Sequence, residues 1–327
     1  MADLSTTYMG LTLKNPIIVA SSSLTSSVDG VKRCEDAGAG AVILKSLFEE
    51  QITFDTERMI GTLDYNAYTD AYDMFASSGK DYYLNEYLTL VEKAKKSVSL
   101  PVIPSINCVS SGNWIEYAER FENVGADALE LNVFILPSNP DTDAETIEKA
   151  YFDILKEVKK HVKIPVAMKI GYHFSAMGRF IKQLSQNGAD GMVLFNRFYK
   201  IDIDTKTMKL KPSPILSNPV EMALSLQWVA LISGEIDADI SAATGIHNGD
   251  AVVKQLLAGA KSVQLCSVLM NEGLDTISEI RNYLSEWMDG KGFGSIDDFR
   301  GKLSQSSSEH PESYERSQYV KALVGIS

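Results

Sequence analysis

The chain has little that would anchor it or staple it from outside a core. Its three cysteines, Cys34, Cys108 and Cys266, are too few and too far apart for a disulfide framework or a zinc site, so reduced thiols are expected and no metal. No apolar run approaches the roughly 20 residues that span a bilayer. The longest, Pro16–Ala20 and Ala41–Leu44, are the length of strands. The opening MADLSTTYMG lacks the basic and apolar regions of a secretory signal, so a cytoplasmic protein without a membrane partner is expected. Cations are short: 31 Lys and Arg stand against 43 Asp and Glu, a net charge of −12. That balance argues against a nucleic-acid partner, because non-specific binding to polyanions rests on Lys and Arg neutralising phosphates. What is present, 45% hydrophobic and 23% charged residues, suits a globular protein with a sizeable core.

One phrase recurs four times: AGAGAVIL from Ala37, VGADALEL from Val124, NGADGMVL from Asn187 and AGAKSVQL from Ala258. Each reads as a helix ending at a glycine and turning into a buried strand. Between them lie NPIIVAS from Asn15, LPVIPSIN from Leu100, IPVAMKI from Ile164 and DADISAA from Asp237, three of them introduced by the proline that suits a strand's first position. Segments with apolar spacing of three and four fill the gaps: 27–37, 82–97, 114–123, 144–161, 176–187, 219–232, 250–258 and 274–289. Eight strands alternating with eight helices in paired units predict one α/β domain over residues 1–327, a (β/α)8 TIM barrel rather than an open doubly wound sheet. Two connections after strands two and six, residues 47–80 and 197–216, are too long for turns. The first, with Met59, Tyr65, Tyr68, Tyr72 and Met74, reads as a lid or a satellite core, and IDIDTKTMKLKP in the second reads as a hairpin.

In such a barrel the strand C-termini build the active site. Here they carry Ala20, Ser21, Lys45, Ser46, Asn107, Asn132, Lys169, Asn196, Thr244, Gly245, Cys266 and Ser267. A lysine that ends a buried strand is costly unless its charge is used, in function or in a structural ion pair. Three amides on separate strands offer donors and acceptors to a flat heterocycle. The loops after strands seven and eight, with Thr244–Gly245 and Asn248 as a helix cap, fit a phosphate or an ordinary turn.

The ordered phrases GLTLKNPIIVASS, AVILKS, GKDYYLNEYL, ELN, PVAMKIGY, TGIHNGDAVVKQLLAGAKSVQL and KGFGSIDDFRGKL resemble the dihydroorotate dehydrogenase family, in particular its soluble single-chain type. The resemblance covers nearly the whole chain. It implies a cytoplasmic flavoprotein of pyrimidine biosynthesis that oxidises dihydroorotate, or a related reducible ring, with a soluble electron acceptor such as fumarate, and that forms a homodimer. It further implies FMN, its phosphate at Thr244–Gly245 and Ser267, its ring near Ala20, Ser21, Lys45, Ser46, Asn107 and Lys169. Lys45, Asn132 and Asn196 would stand between flavin and substrate, and Lys169 would stabilise the reduced ring. The resemblance fails at the base. Where the family carries Cys or Ser, this chain has Ile135 in NVFILPSNP. Either the loop bulges to bring Ser138 into that place or the chemistry differs. Cys266 replaces a glycine, AYDMFASSG lacks the family's asparagine, and Arg197 replaces a small residue, there to bind a substrate carboxylate or to pair with nearby acids on the hairpin.

Other readings stay open on the residues alone. Lys169 could form a Schiff base in an aldolase or isomerase. A related barrel acts on dihydrouridine in tRNA, which the charge disfavours. A flavin-binding paralogue without dihydroorotate turnover would also keep the cofactor residues and lose the base.

Overall fold

The computed structural model of the protein describes residues 2–54, 69–109, 111–197, 201–212, 216–315, 320 and 323. Its central feature is a parallel sheet whose strands are β1 (Ile17–Val19), β2 (Ala41–Ile43), β3 (Val102–Ile103 and Ser105–Asn107), β4 (Leu129–Asn132), β5 (Val166–Ile170), β6 (Gly191–Leu194), β7 (Asp239–Ala243) and β8 (Ser262–Leu265). Most are buried on both faces, which is why the sequence shows continuous apolar runs rather than alternation. Pairing runs β3–β4–β5–β6–β7–β8–β1–β2 and back to β3. The first and last partners are the two halves of β3, separated only by Pro104, so the sheet curls into a TIM-like barrel.

The recurring Gly-Ala phrase has the predicted geometry. Gly38, Gly125, Gly188 and Gly259 take φ of +89°, +89°, +99° and +117°. A β-carbon is disfavoured there, and glycine closes each preceding helix while turning the chain into the next strand. The helices are α1 (Val28–Asp36), α2 (Thr69–Ser97), α3 (Ser111–Asn123), α4 (Ala144–His161), α5 (Met177–Gln186), α6 (Met222–Ile232), α7 (Gly249–Ala258), α8 (Ser267–Glu272) and α9 (Thr276–Lys291). In α5 the spacing that marked it as amphipathic is the spacing that is buried: Met177, Phe180, Ile181 and Leu184. Each such side chain contributes about 1.5–3 kcal/mol by leaving water.

The bottom of the barrel is plugged by an antiparallel hairpin, Thr6–Tyr8 with Leu11–Leu13. Tyr8, Met9 and Leu13 pack there among Ile18, Ile43, Ala128, Ala167 and Val193. The opposite, C-terminal mouth is left for chemistry.

The long connections differ in part from expectation. Within 47–80, Leu47–Phe48 pairs with Ile106–Asn107, and α2 begins at Thr69, thirteen residues before the expected start at 82. Tyr72 and Met74 therefore fall on a helix, while Met59, Tyr65 and Tyr68 lie outside the described residues. After β6 the predicted hairpin is present: Ile201–Asp204 pairs antiparallel with Lys209–Pro212. Its charged side is tied by Asp202–Lys211 at 3.0 Å, and Ile201, Ile203 and Leu210 are exposed.

Candidate active site

The barrel mouth holds a cavity of about 280 Å³ lined by residues from the ends of β1, β5, β6, β7 and β8, among them Ala20, Ser21, Lys169, Asn196, Arg197, Thr244, Gly245 and Ser267. A second space of about 470 Å³ shares Phe195, Asn196, Arg197 and Thr244 with it and adds Tyr172, Asn218 and Glu221. The two spaces share that wall, with Lys169 lining the first, the deep end, and Tyr172 the second, the outer end.

The deep end is polar and fully connected. Lys169 Nζ donates to Gln264 Oε1 at 2.9 Å. Gln264 Nε2 donates to Glu130 Oε2 at 2.7 Å, and Lys169 Nζ stands 3.6 Å from Glu130 Oε1. From Glu130 the path continues to Ser105 Oγ at 3.4 Å, Ser46 Oγ at 2.8 Å and Ser21 Oγ at 3.0 Å. Buried polar groups are tolerable when partnered in this way. Sequence reading missed Glu130, Gln264 and Ser105. The available signal was a polar residue inside each apolar run, in LEL and VQL, since β4 and β8 turn those positions into the barrel.

The turns after β7 and β8 are drawn together by Ser217, also missed. Ser217 N donates to Ser267 Oγ at 2.9 Å, and Gly245 N donates to Ser217 Oγ at 3.4 Å. Thr244 takes a φ of +73°, an uncommon backbone state for a residue with a β-carbon. Its hydroxyl fixes that state by donating to the Phe195 carbonyl at 3.1 Å. Gly245 follows at φ +77°, where a β-carbon would lie 2.1 Å from the Met222 nitrogen, so the turn admits no other residue without moving α6.

At the outer end Asn196 Nδ2 donates to Asn132 Oδ1 at 2.6 Å, joining the β4 and β6 amides. Arg197 is engaged by Glu221, Nε to Oε2 at 2.9 Å and Nη2 to Oε1 at 3.4 Å. Glu221 also accepts from the Asn218 backbone at 2.9 Å and lies outside the hairpin whose acids were the expected partners of Arg197. Asn107 is buried at the end of β3 and lines neither space. Lys45 is exposed and lines a separate depression of about 400 Å³ with Ser46, Tyr83, Glu86 and Tyr87.

No residue of the loop after β4 lines this cleft. Ile135 N donates to the Tyr151 hydroxyl at 3.1 Å. Burial pushes that hydroxyl up to about 12, so it stays protonated and available as a partner. Ser138 is exposed, its nitrogen bonded to the Leu136 carbonyl at 2.8 Å, and it lines none of the three spaces. His173, beside Phe134 at 5.9 Å between ring centres, has its pKa lowered by burial, a hydrogen bond with the Ile135 backbone opposing the shift. Cys266 lines the cavity, and burial raises its pKa against the pull of Lys169, which keeps it a thiol rather than a thiolate.

A TIM-like barrel with a lysine on its floor, amides at its rim and two phosphate-sized turns at one end belongs to the class of small-molecule enzymes that work at strand C-termini. The sequence profile described as dihydroorotate dehydrogenase matches residues 3–288. The chain belongs to the dihydroorotate dehydrogenase family. It is 28% identical over 316 residues to "Dihydroorotate dehydrogenase B (NAD(+)), catalytic subunit" of Thermoplasma volcanium, covering 92% of this chain and 98% of that one. It is 28% identical over 304 residues to the protein of the same name from Pyrococcus horikoshii, covering 89% and 95%. It is also 27% identical to an Aeropyrum pernix protein described provisionally as dihydroorotate dehydrogenase A (fumarate), covering 91% and 97%. As in that family, the chain is an oxidoreductase. No helix among the described residues is long and apolar enough to cross a membrane.

Proposed function

We propose that this chain is an FMN-dependent dihydroorotate dehydrogenase, taking dihydroorotate to orotate and passing the electrons to a soluble acceptor. The observation that carries the reading is the pairing of Lys169 at the deep end of the cleft with the Thr244–Gly245 and Ser267 turns beside it. The donor set fits FMN: a cation for the electron-rich end of the ring, hydroxyls of Ser21, Ser217 and Ser267 along one wall, and backbone amides at a left-handed turn for the phosphate. When bound, FMN supplies the two-electron redox chemistry. The chain's own residues do the rest. Lys169 would hold positive charge against the ring, Asn196, held in place by Asn132, would orient a planar substrate, and Phe195 would exclude water between the two spaces. Lys169 Nζ is here a hydrogen-bond donor facing a carboxylate, which suits this electrostatic role better than Schiff-base formation.

The test is a visible spectrum of the purified protein followed by anaerobic addition of dihydroorotate. Flavin bands that bleach on addition support the proposal in full. Absence of flavin, even after incubation with FMN, overturns it and returns the Schiff-base reading, which borohydride trapping would detect. A second reading is favoured by the loop after β4: Ile135 carries no proton acceptor and Ser138 is exposed. On that reading the flavin is present but the substrate is another reducible ring, and dihydroorotate leaves the bands unchanged. The relatives' names give NAD(+) and fumarate as acceptors, and titrating the reduced protein with each would choose between them. A homodimer is part of the proposal and is read directly by light scattering.

A further inference from the structure

Among the described residues with a formal charge, two are buried below a tenth of their surface: Glu130 at 1% and Lys169 at 9%. They are 3.6 Å apart. Two charges that could each have been apolar cost more to bury than they return in stability, because desolvation offsets their attraction. Two residues before Gln264 on β8, by contrast, the buried polar contact with β7 is a neutral hydroxyl pair, Ser262 Oγ to Ser241 Oγ at 2.9 Å. Gln264 turns the pair into a rigid unit. Its carbonyl oxygen faces Lys169 and its amide nitrogen faces Glu130. Rotating the amide by half a turn would set a donor against the ammonium and an acceptor against the carboxylate, so the two charges fix the amide and the amide fixes Lys169 Nζ at the cavity wall. Ser105 supplies a further donor to Glu130 from β3.

We propose that Glu130 is a positioning residue for the redox site. It aims Lys169 through Gln264 and cancels most of its charge, and so sets how strongly the site prefers the reduced over the oxidised ring. This rests on the flavin reading above. Glu130 does not reach the cleft itself, since Gln264 and Lys169 stand between. Its effect is therefore on the field at the ring and on the angle of Lys169, not on substrate contact.

The test is Glu130→Gln, which keeps size and hydrogen bonding but removes the charge. With Lys169 uncompensated, the ratio of affinities for reduced and oxidised FMN should rise roughly tenfold, which for a two-electron couple is about 30 mV more positive. Glu130→Asp, which keeps the charge, should hold the wild-type midpoint potential. A Glu130→Gln potential equal to wild type, with flavin bound, overturns the proposal, as a purely structural residue would leave the potential alone. Should Glu130→Gln fail to retain FMN, the apoproteins decide. Glu130→Gln and Lys169→Met alone should each lower Tm, and the double variant should recover much of the loss, whereas a loss equal to the sum of the singles overturns the pairing. That cycle needs no cofactor. A wild-type protein that binds no FMN thus refutes the flavin reading, while the apoprotein cycle still reports on the pair.

Discussion

Tyr151→Phe isolates one hydrogen bond that holds the loop after β4. Tyr151 is fully buried on α4, its ring packed edge-on against Phe174 and Phe180 at 5.2 and 5.4 Å. Replacing it by phenylalanine keeps those ring contacts and removes only the oxygen that accepts from Ile135 N. The Ile135 amide is then left with no acceptor in a half-buried setting, which costs about 1–2 kcal/mol. Amide exchange measured by NMR or mass spectrometry reads that cost directly. Protection at Ile135 should fall roughly five- to thirtyfold, following from about 1.4 kcal/mol per factor of ten, with protection in β5 and β6 unchanged. In a working enzyme the affinity for FMN should stay put, since Tyr151 touches none of the cofactor turns. Unchanged exchange at Ile135 would refute the idea that this hydroxyl pins the loop.

Gly245→Ala forces a β-carbon into a left-handed turn 2.1 Å from the Met222 nitrogen. A strain of about 1–3 kcal/mol is expected, read as a lower Tm and as FMN lost on gel filtration. His173 is held neutral by burial, its folded pKa below the unfolded 6.5. The unfolded chain therefore binds the extra proton first, and stability present above pH 6.5 is lost as pH falls through the folded value. A Tm series from pH 7.5 to 5 should show that slope, and His173→Gln should flatten it. Burial pushes the Cys34 thiol up to about 11, so at pH 8 iodoacetamide should spare Cys34 in the native protein and label it in urea, as peptide mass spectrometry would show.

The barrel was legible because its physics is local. Double-sided burial writes apolar runs, and the tight αβ joint demands glycine at φ values of +89° to +117°, so the four Gly-Ala phrases mark four strands in the sequence itself. The start of α2 was not legible. The spacing places the helix from residue 82, yet it runs from Thr69 through Gly79, and tertiary context outweighs a propensity worth about 1 kcal/mol per glycine. In the site, Lys169 could be found because it ends a buried strand. Lys45 ends β2 in the same way but is exposed, and spacing alone does not say which side of a strand terminus faces the axis. Glu130 and Gln264 were hidden by the apolar runs around them. Ser217 belongs to no motif, and only the meeting of two loops distant in sequence gives it a role.

Pro104 gives the barrel a seam. Like a stave made of two short pieces, β3 pairs with β2 before the proline and with β4 and Leu47–Phe48 after it, while Pro104, with no N–H to donate, still accepts from Glu130 N at 3.0 Å. The same break lies next to Ser105, the link between Glu130 and the serines at the ends of β1 and β2. Loosening at this joint would disconnect the polar path behind Lys169, so the capacity to hold a charged ligand depends on β3 keeping both of its neighbours.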